Sequence, residues 1–102
     1  MQTNSNTRRQ PSLTRFALGQ TYITPGAEEA LMIAGQTGIE FLRRHMSCDW
    51  SELTGDDAQE NELSLREGFR VLSAYRTAKG QRLWIITEAD RSATTILLPD
   101  EY

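Results

Sequence analysis

The only histidine and the only cysteine of the chain lie close together, at a spacing that allows a catalytic pair. His45, Cys48 and Asp49 fall within five residues, so a cysteine nucleophile and a histidine base are conceivable there. That chemistry also needs an orienting group and an oxyanion hole, and no motif announces either. The simpler interpretation is a helix ending at His45, where a partly positive ring suits the helix dipole, with Cys48 and Asp49 in the turn after it.

The sequence offers no metal-binding or cofactor motif. One histidine and one cysteine cannot form a structural zinc site. The acidic residues that follow them lack the glycine at the sixth position of a calcium loop. A Gly-rich phosphate loop, a dinucleotide fingerprint and a nucleophile elbow are also missing from the sequence. We therefore predict no metal, no cofactor and no catalytic residue, and the sequence favours a protein that is not an enzyme.

Acidic residues dominate the middle of the chain, where residues 49–67 hold seven acids and one arginine. We expect most of them on the solvated side of a helix. A helix of this kind can also bind a basic surface or imitate nucleic acid. The candidate protein-binding residues are Asp49, Trp50, Asp56, Asp57 and Glu60.

A basic segment with interleaved aromatic residues follows, since residues 70–82 hold four cations and no acid. Arginines and aromatic rings on paired strands can hold phosphates and stack bases of single-stranded nucleic acid. Small bacterial ribonuclease toxins present such residues on a sheet. The alternative is that the rings are core and the arginines face solvent. The candidate nucleic-acid-binding residues are Arg70, Tyr75, Arg76, Arg82 and Trp84.

Residues 25–46 outline a helix-turn-helix, with residues 38–46 as the helix that would read DNA. A helical hairpin without this function looks the same, and the formal net charge of −3 counts against DNA binding. The side chains available for reading are Gln36, Thr37, Glu40, Arg43 and Arg44.

Helices in the first two thirds of the chain must position the candidates up to Glu60, and strands in the last third must position the others. Residues 1–12 contain almost no apolar residue after Met1, and we interpret them as a disordered tail. A short extended piece follows, broken near Gly19. Thr24 and Pro25 are typical of a helix start, and Gly35 is typical of its end.

Two further helices follow. The second is expected from Gly38 to about Met46, after a cap at Thr37, with Ile39, Leu42 and Met46 inward. The third is expected from about Gly55 to Glu67, with Leu63 inward and Gly68 after its end.

The last third changes to the period of strands. Three segments rich in β-branched and aromatic residues, 69–77, 82–88 and 93–98, are separated by two polar turns. The middle segment is apolar on both faces, which is typical of a central strand. We predict one α+β domain over residues 13–102. Two or three helices pack on one face of a three-stranded antiparallel meander, to which a short N-terminal strand is added.

Length and composition exclude several classes of protein. The chain has 102 residues, enough for one modest core, and no apolar run approaches the roughly 18 residues of a membrane helix. No signal segment opens the sequence. One cysteine cannot make an internal disulfide. We expect a cytoplasmic protein that does not contact membranes, and the sequence leaves its oligomeric state open.

The run from Leu83 to Ser92, followed by Thr94 to Pro99, resembles a family of roughly hundred-residue bacterial proteins. Thr24 to Ala27, His45 to Trp50 and Leu72 to Tyr75 belong to the same resemblance. Family members are carried on plasmids, integrative elements and phage-like islands, and are labelled plasmid-related protein or type I restriction endonuclease subunit M. A methyltransferase subunit needs a parallel cofactor-binding sheet, for which this chain has no room. The resemblance implies a small protein of a mobile element. It would bind a host or element protein, for defence evasion or element maintenance.

Overall fold

A four-stranded sheet organises the fold, and its strands come from both ends of the chain. The computed structural model describes residues 15–49 and 55–102, with all their side chains except those of 55–58 and 60. The predicted tail of residues 1–12 lies outside this part of the chain. The strands are β1 (Gln20–Ile23), β2 (Val71–Arg76), β3 (Arg82–Thr87) and β4 (Ala93–Leu97).

The sheet combines an antiparallel meander with one parallel strand. Its order is β1-β4-β3-β2, so β3 is central in the meander, as its apolar sequence predicts. β1 lies parallel to β4, with Gln20 opposite Ala93 and Ile23 opposite Ile96. The sequence predicts the added strand but not its direction, since no local turn joins β1 to β4.

Three helices are present in the described residues: α1 (Pro25–Ala34), α2 (Gly38–Met46) and α3 (Gly55–Glu67). The predicted helix starts and ends are confirmed. Thr24 caps α1 by accepting a hydrogen bond from the Ala27 amide at 3.2 Å. Gly35, at φ 68°, ends the helix in the left-handed conformation that glycine adopts without strain. A short 3₁₀ turn, Pro99–Glu101, follows β4.

The strand registers divide the sheet residues between two faces, because successive side chains alternate. The helix face packs against α1 and α2, whose Ala27, Leu31 and Phe41 join it in the core. Its residues are Val71, Ser73, Tyr75, Leu83, Ile85, Thr87, Thr94 and Ile96. The opposite side, called the open face below, carries Tyr22, Leu72, Ala74, Arg76, Arg82, Trp84, Ile86, Thr95 and Leu97.

Two side chains expected inside, Ile39 and Leu63, lie at the surface. Ile39 is 58 % exposed, because α2 buries Phe41 and His45, one helical turn apart, with Leu42 beside them. Leu63 of α3 is 42 % exposed, since its neighbour Asn61 makes the contact with the sheet. Phe69 lies just before β2 and is 57 % exposed.

Asn61 closes one edge of the sheet. Its carbonyl oxygen accepts from the Leu72 amide at 3.2 Å, and its side-chain amide donates to the Leu72 carbonyl. These two bonds imitate a neighbouring strand on the outer side of β2. They satisfy backbone groups that would otherwise stand unpaired at the sheet edge. At the other end of the sheet, all four side chains of β1 are exposed.

A carboxylate near the end of the chain joins the sheet to the first helix. Glu101 accepts hydrogen bonds from the Thr24 hydroxyl at 2.5 Å, the Gly26 amide at 3.1 Å and the Leu98 amide at 2.8 Å. Because this carboxylate stands at the N-terminus of α1, the helix dipole favours its charge. This contact, called the Glu101 clasp below, sets the position from which Tyr102 leaves the 3₁₀ turn.

Candidate functional site

An aromatic pair lies on the open face. Trp84 is half-buried on β3, and the Tyr102 ring meets it edge to face, with centroids 5.7 Å apart and planes at 68°. The Arg70 guanidinium lies 5.8 Å from the centroid of the Tyr102 ring, so the three side chains form one group. Tyr102 is 67 % exposed. A planar ligand can therefore reach an aromatic surface here.

Two more arginines stand beside this group. Arg76 and Arg82 are register partners at the turn end of the β2–β3 hairpin, and both are exposed. Arg82 and Trp84 line one small pocket with Ala74 and Tyr75. A shallower groove lined by Arg76 and Arg82 continues toward Leu98, Pro99 and Asp100. Guanidinium groups hold phosphates in bidentate geometry, and exposed rings stack on bases.

The floor between these side chains is apolar. Ile86 is 7 % exposed and Leu97 is 6 % exposed, although both lie on the side of the sheet that faces away from α1 and α2. Trp84 lies opposite Leu97 in the register. The open face thus presents a packed surface with aromatic and cationic groups above it.

Tyr75 is the member of the predicted nucleic-acid set that the structure moves elsewhere. It belongs to the helix face and is 1 % exposed, because positions 74 and 75 alternate across the sheet. Its hydroxyl donates to the Asp49 carbonyl at 2.6 Å, and the Arg44 guanidinium lies 4.5 Å from its ring centroid. Burial raises its pKa to about 12. The Tyr75 ring therefore belongs to the core, although the residue also lines the small pocket at Arg82 and Trp84.

The predicted protein-binding residues are not brought together within the described structure. Asp49 forms an ion pair with Arg44 at 2.9 Å, in the loop after α2. Trp50 lies outside the described residues. Asp56, Asp57 and Glu60 belong to α3, with side chains outside the described set.

His45, expected as a partly positive ring at a helix end, is fully buried in a chain of polar groups. Its Nδ1 lies 2.5 Å from the Ser73 hydroxyl, and its Nε2 lies 2.9 Å from the Thr87 hydroxyl. Thr87 contacts Thr94 at 2.7 Å, and Thr94 donates to the Leu18 carbonyl at 2.7 Å. These contacts, called the histidine network below, tie α2, the meander and the segment before β1 together.

The last bond fixes the direction of the two bonds that precede it in the histidine network. Thr94 donates its only hydroxyl proton to the Leu18 carbonyl, so in the Thr87–Thr94 contact Thr87 is the donor. The Thr87 proton is then used, and Nε2–H of His45 donates to Thr87. The Thr87 contact therefore places a proton on Nε2. In the neutral ring that burial favours, Nδ1 accepts from the Ser73 hydroxyl.

Burial is also the main reason that the pKa of His45 falls from 6.5 to about 3, with the Arg91 charge adding to the effect. The Ser73–His45 contact has the form of a serine nucleophile and its base, but both side chains are 0 % exposed. No substrate can reach them in this conformation. The helix-dipole expectation for His45 is wrong, and the physical reason is burial.

Cys48 does not join His45 in a site. It stands at φ 65° in the turn after α2, half-buried, while the His45 ring points into the core. Burial raises the pKa of the Cys48 thiol, so the thiolate is disfavoured. A cysteine nucleophile activated by His45 is therefore not supported.

Three of the five proposed DNA-reading side chains, Gln36, Glu40 and Arg44, make contacts within the protein. Gln36 accepts from the Ala78 amide at 2.7 Å and donates to Glu40 at 3.0 Å. Arg44 pairs with Asp49. The Gln36–Ala78 bond anchors the α1–α2 turn to the β2–β3 hairpin, so this segment is less suited to enter a groove of DNA.

Among the described residues, no three His, Cys, Asp or Glu side chains converge as a metal site would require. None of the helices described is long and apolar enough to cross a bilayer. Comparison of the chain with protein-family models, with curated proteins and with solved structures gave no match.

Sequence reasoning missed Tyr102 as a member of the open-face group. Tyr102 follows Pro99, where the last strand ends, and no local pattern places it over Trp84. No sequence signal could have found it, because Tyr102 is positioned through Glu101, whose partner Thr24 lies 77 residues away in the chain.

Proposed function

We propose that the protein binds single-stranded nucleic acid on the open face of its sheet. The observation that carries the proposal is the group formed by Trp84, Tyr102 and Arg70, with Arg76 and Arg82 beside it. Sheets that present exposed aromatic rings bind single strands by stacking, because unpaired bases offer free π-faces. The arginines would contact the phosphates between the stacked bases.

The overall charge of −3 does not oppose this proposal, because the charges of the chain are segregated. Residues 70–82 hold four cations and no acid, whereas residues 49–67 hold seven acids. A polyanion responds to the potential near its own site, and charges beyond about 10 Å are screened at ordinary salt. Asp100 is the acid that lines the same groove as Arg76 and Arg82.

The geometry favours binding over cleavage. A ribonuclease of the toxin kind needs a general acid or base that reaches the ribose. The one histidine of the chain is buried on the helix face, so it cannot act as that group on the open face. The proposal is therefore binding of nucleic acid, and it includes no cleavage step.

Fluorescence anisotropy with a labelled single-stranded RNA, a DNA of the same sequence and a duplex tests the proposal. We expect binding to the single strands that weakens as salt rises. Each arginine that contacts a phosphate should contribute about 0.7 to the slope of log K against log salt. Arg82→Ala should lower that slope, and Arg43→Ala on the exposed side of α2 is the matched control. Equal effects of the two variants, or binding insensitive to salt, would reject the open face as the site.

Tyr102→Ala separates stacking from charge. Its ring is 67 % exposed, so its removal leaves the core intact. Loss of one stacked base should cost about 1–3 kcal/mol, which is roughly 5- to 150-fold in affinity, with little change in the salt slope. An unchanged affinity would show that the aromatic group does not bind bases.

A second proposal follows the family resemblance: a protein-binding module of a bacterial mobile element, acting in the cytoplasm in defence evasion or element maintenance. The observation that favours it is exposed apolar surface around the α1–α2 turn. Met32 is 75 % exposed, Ile33 64 % and Ile39 58 %. Exposed apolar side chains that recur in one region are typical of protein interfaces.

Two sets of substitutions test this second proposal, one in the apolar surface and one in the acidic helix α3. The readout is capture of a protein partner from bacterial lysate, with and without nuclease. Replacing Met32 and Ile33 by Ser should abolish capture if the apolar surface binds the partner. Reversing the charges of Asp56, Asp57 and Glu60 should abolish it if the acidic helix does. If both variants still capture the partner, neither surface is the binding site. If nuclease treatment abolishes capture by the natural chain, the contact is made through nucleic acid and not through protein.

A further inference from the structure

The geometry points to a second copy of this chain as the partner of β1, the terminal strand of the sheet within residues 15–49 and 55–102, joined in an antiparallel pair centred on Tyr22. This inference is independent of nucleic-acid binding. It rests on the contrast between the two sheet edges and on the hydrogen-bonding pattern of a four-residue strand.

The backbone of β1 uses only alternate residues to hold β4. The Gln20 amide donates to the Ser92 carbonyl at 2.9 Å, and the Thr24 amide donates to the Ile96 carbonyl at 3.0 Å. A strand ladder repeats every two residues, so Tyr22 also faces β4. The peptide groups of Thr21 and Ile23 consequently point away from the sheet, toward the outer edge.

Nothing in the sequence of β1 protects this edge. Natural edge strands are usually blunted by a charged side chain, a proline, a bulge or a cover. β1 has the sequence Gln-Thr-Tyr-Ile, without charge or proline, and all four side chains are exposed. The opposite edge at β2 has a cover, since Asn61 occupies the Leu72 backbone groups.

One register makes the β1 edge complementary to itself. If Tyr22 lies opposite Tyr22 of a second copy, Thr21 lies opposite Ile23 on both sides of the two-fold axis. Each Thr21–Ile23 pair then exchanges two hydrogen bonds, so every outward peptide group of β1 is used. In a register centred on Thr21, Ile23 lies opposite a residue beyond the end of β1, and in one centred on Ile23 the same is true of Thr21. Each of these registers therefore leaves one outward peptide group without a strand residue to pair with.

The side chains suit the same register. The two Tyr22 rings would form a directly opposed, non-hydrogen-bonded pair, which brings aromatic side chains close together. Tyr22 is 57 % exposed and Ile23 is 40 % exposed, so both would gain burial. No like charges meet, because β1 carries none. The pairing would join two open faces into one continuous eight-stranded surface.

A four-residue edge is short compared with a standard interface of about 1,600 Å². We therefore expect a reversible dimer, visible as an average mass that rises with concentration in sedimentation equilibrium of the full chain. Hydrogen exchange gives the site-specific readout. The amides of Thr21 and Ile23 should gain protection as concentration rises, whereas those of Gln20 and Tyr22 are protected throughout.

Thr21→Pro removes one outward amide and leaves the β4 ladder intact, and proline is tolerated on an edge strand. It should reduce dimerisation, and Thr21→Val, which keeps the amide, is the matched control. Tyr22→Lys should also reduce it by opposing two like charges, whereas Tyr22→Phe should not. A mass that stays monomeric into the millimolar range overturns the inference. Self-association without protection at Thr21 and Ile23, or protection independent of concentration because another segment of the same chain pairs there, also overturns it.

Discussion

His45 is the residue whose surroundings alter its chemistry the most. In sequence it stands in the last turn of a helix beside two arginines, where a charged imidazole would be favoured. In the structure it accepts from Ser73 and donates to Thr87 in the core. The helix that contains His45 was predictable, but the side of that helix that packs into the core was not. The one-turn spacing of Phe41 and His45 competes with the equally plausible stripe of Ile39, Leu42 and Met46.

The buried neutral His45 makes stability depend on pH. Its pKa is about 3 in the folded protein and near 6.5 when the chain is unfolded, so the unfolded state takes up the proton first. Stability from this group is complete above pH 6.5 and falls as the pH drops toward 3. Urea denaturation should show a loss of about 2 kcal/mol between pH 6.5 and pH 5, at about 1.4 kcal/mol per unit.

His45→Gln is the control for that measurement. The variant will be less stable at neutral pH, yet its stability should change far less between pH 6.5 and pH 5, because glutamine does not titrate. An unchanged pH slope in the variant would assign the effect to other groups.

At the scale of elements, boundaries were more predictable than contacts. Thr24, Pro25 and Gly35 delimit α1, and Gly68 (φ 80°) ends α3, because capping is a local property of the backbone. The sheet contact of α3 depends instead on Asn61, a polar side chain among more obvious apolar ones. Its partner is the backbone of an edge strand, and backbone groups leave no mark in a hydrophobic pattern.

Asn61→Ala should lower the free energy of unfolding by about 1–3 kcal/mol, because the amide and carbonyl of Leu72 lose their partners. Urea denaturation measures this, and Gln59→Ala on the exposed side of α3 is the matched control. The variant should also aggregate more readily, since the β2 edge is uncovered. Equal stability of the two variants would show that water replaces Asn61 without cost.

At the scale of the whole molecule, long-range contacts decide what sequence reasoning could not reach. The open face was predicted in part, since the two-residue alternation of the strands places Arg76, Arg82 and Trp84 on the same side of the sheet. The same alternation places Tyr75 on the opposite side, away from the other residues of its predicted set. Tyr102 was not predicted as a member of the open-face group. The position of Tyr102 depends on the Glu101 clasp, whose partners come from the other end of the chain. No local pattern relates residues so far apart.

The Glu101 clasp predicts a second pH effect at lower pH. The Thr24 hydroxyl first, and then the Leu98 and Gly26 amides, lower the pKa of Glu101 below its usual 4.5. Its contribution to stability is complete above that value and is lost as the pH falls through the lower folded pKa. Glu101→Gln should reduce the thermal midpoint at pH 7, and the difference from the natural chain should shrink under acid conditions. Asp100→Asn is the control, and an equal reduction there would contradict the clasp.

The parallel pairing of β1 with β4 has a consequence for the order of folding. The meander closes through short turns, whereas β1 must wait for a strand that begins some 70 residues later, at Ala93. Contacts between distant segments form late because the intervening loop must close first. On the ribosome, β1 and the first two helices leave the exit tunnel before β4 has been translated. The early part of this chain therefore lacks its partner strand during most of its synthesis, and β1 is the last of the four strands to join the sheet.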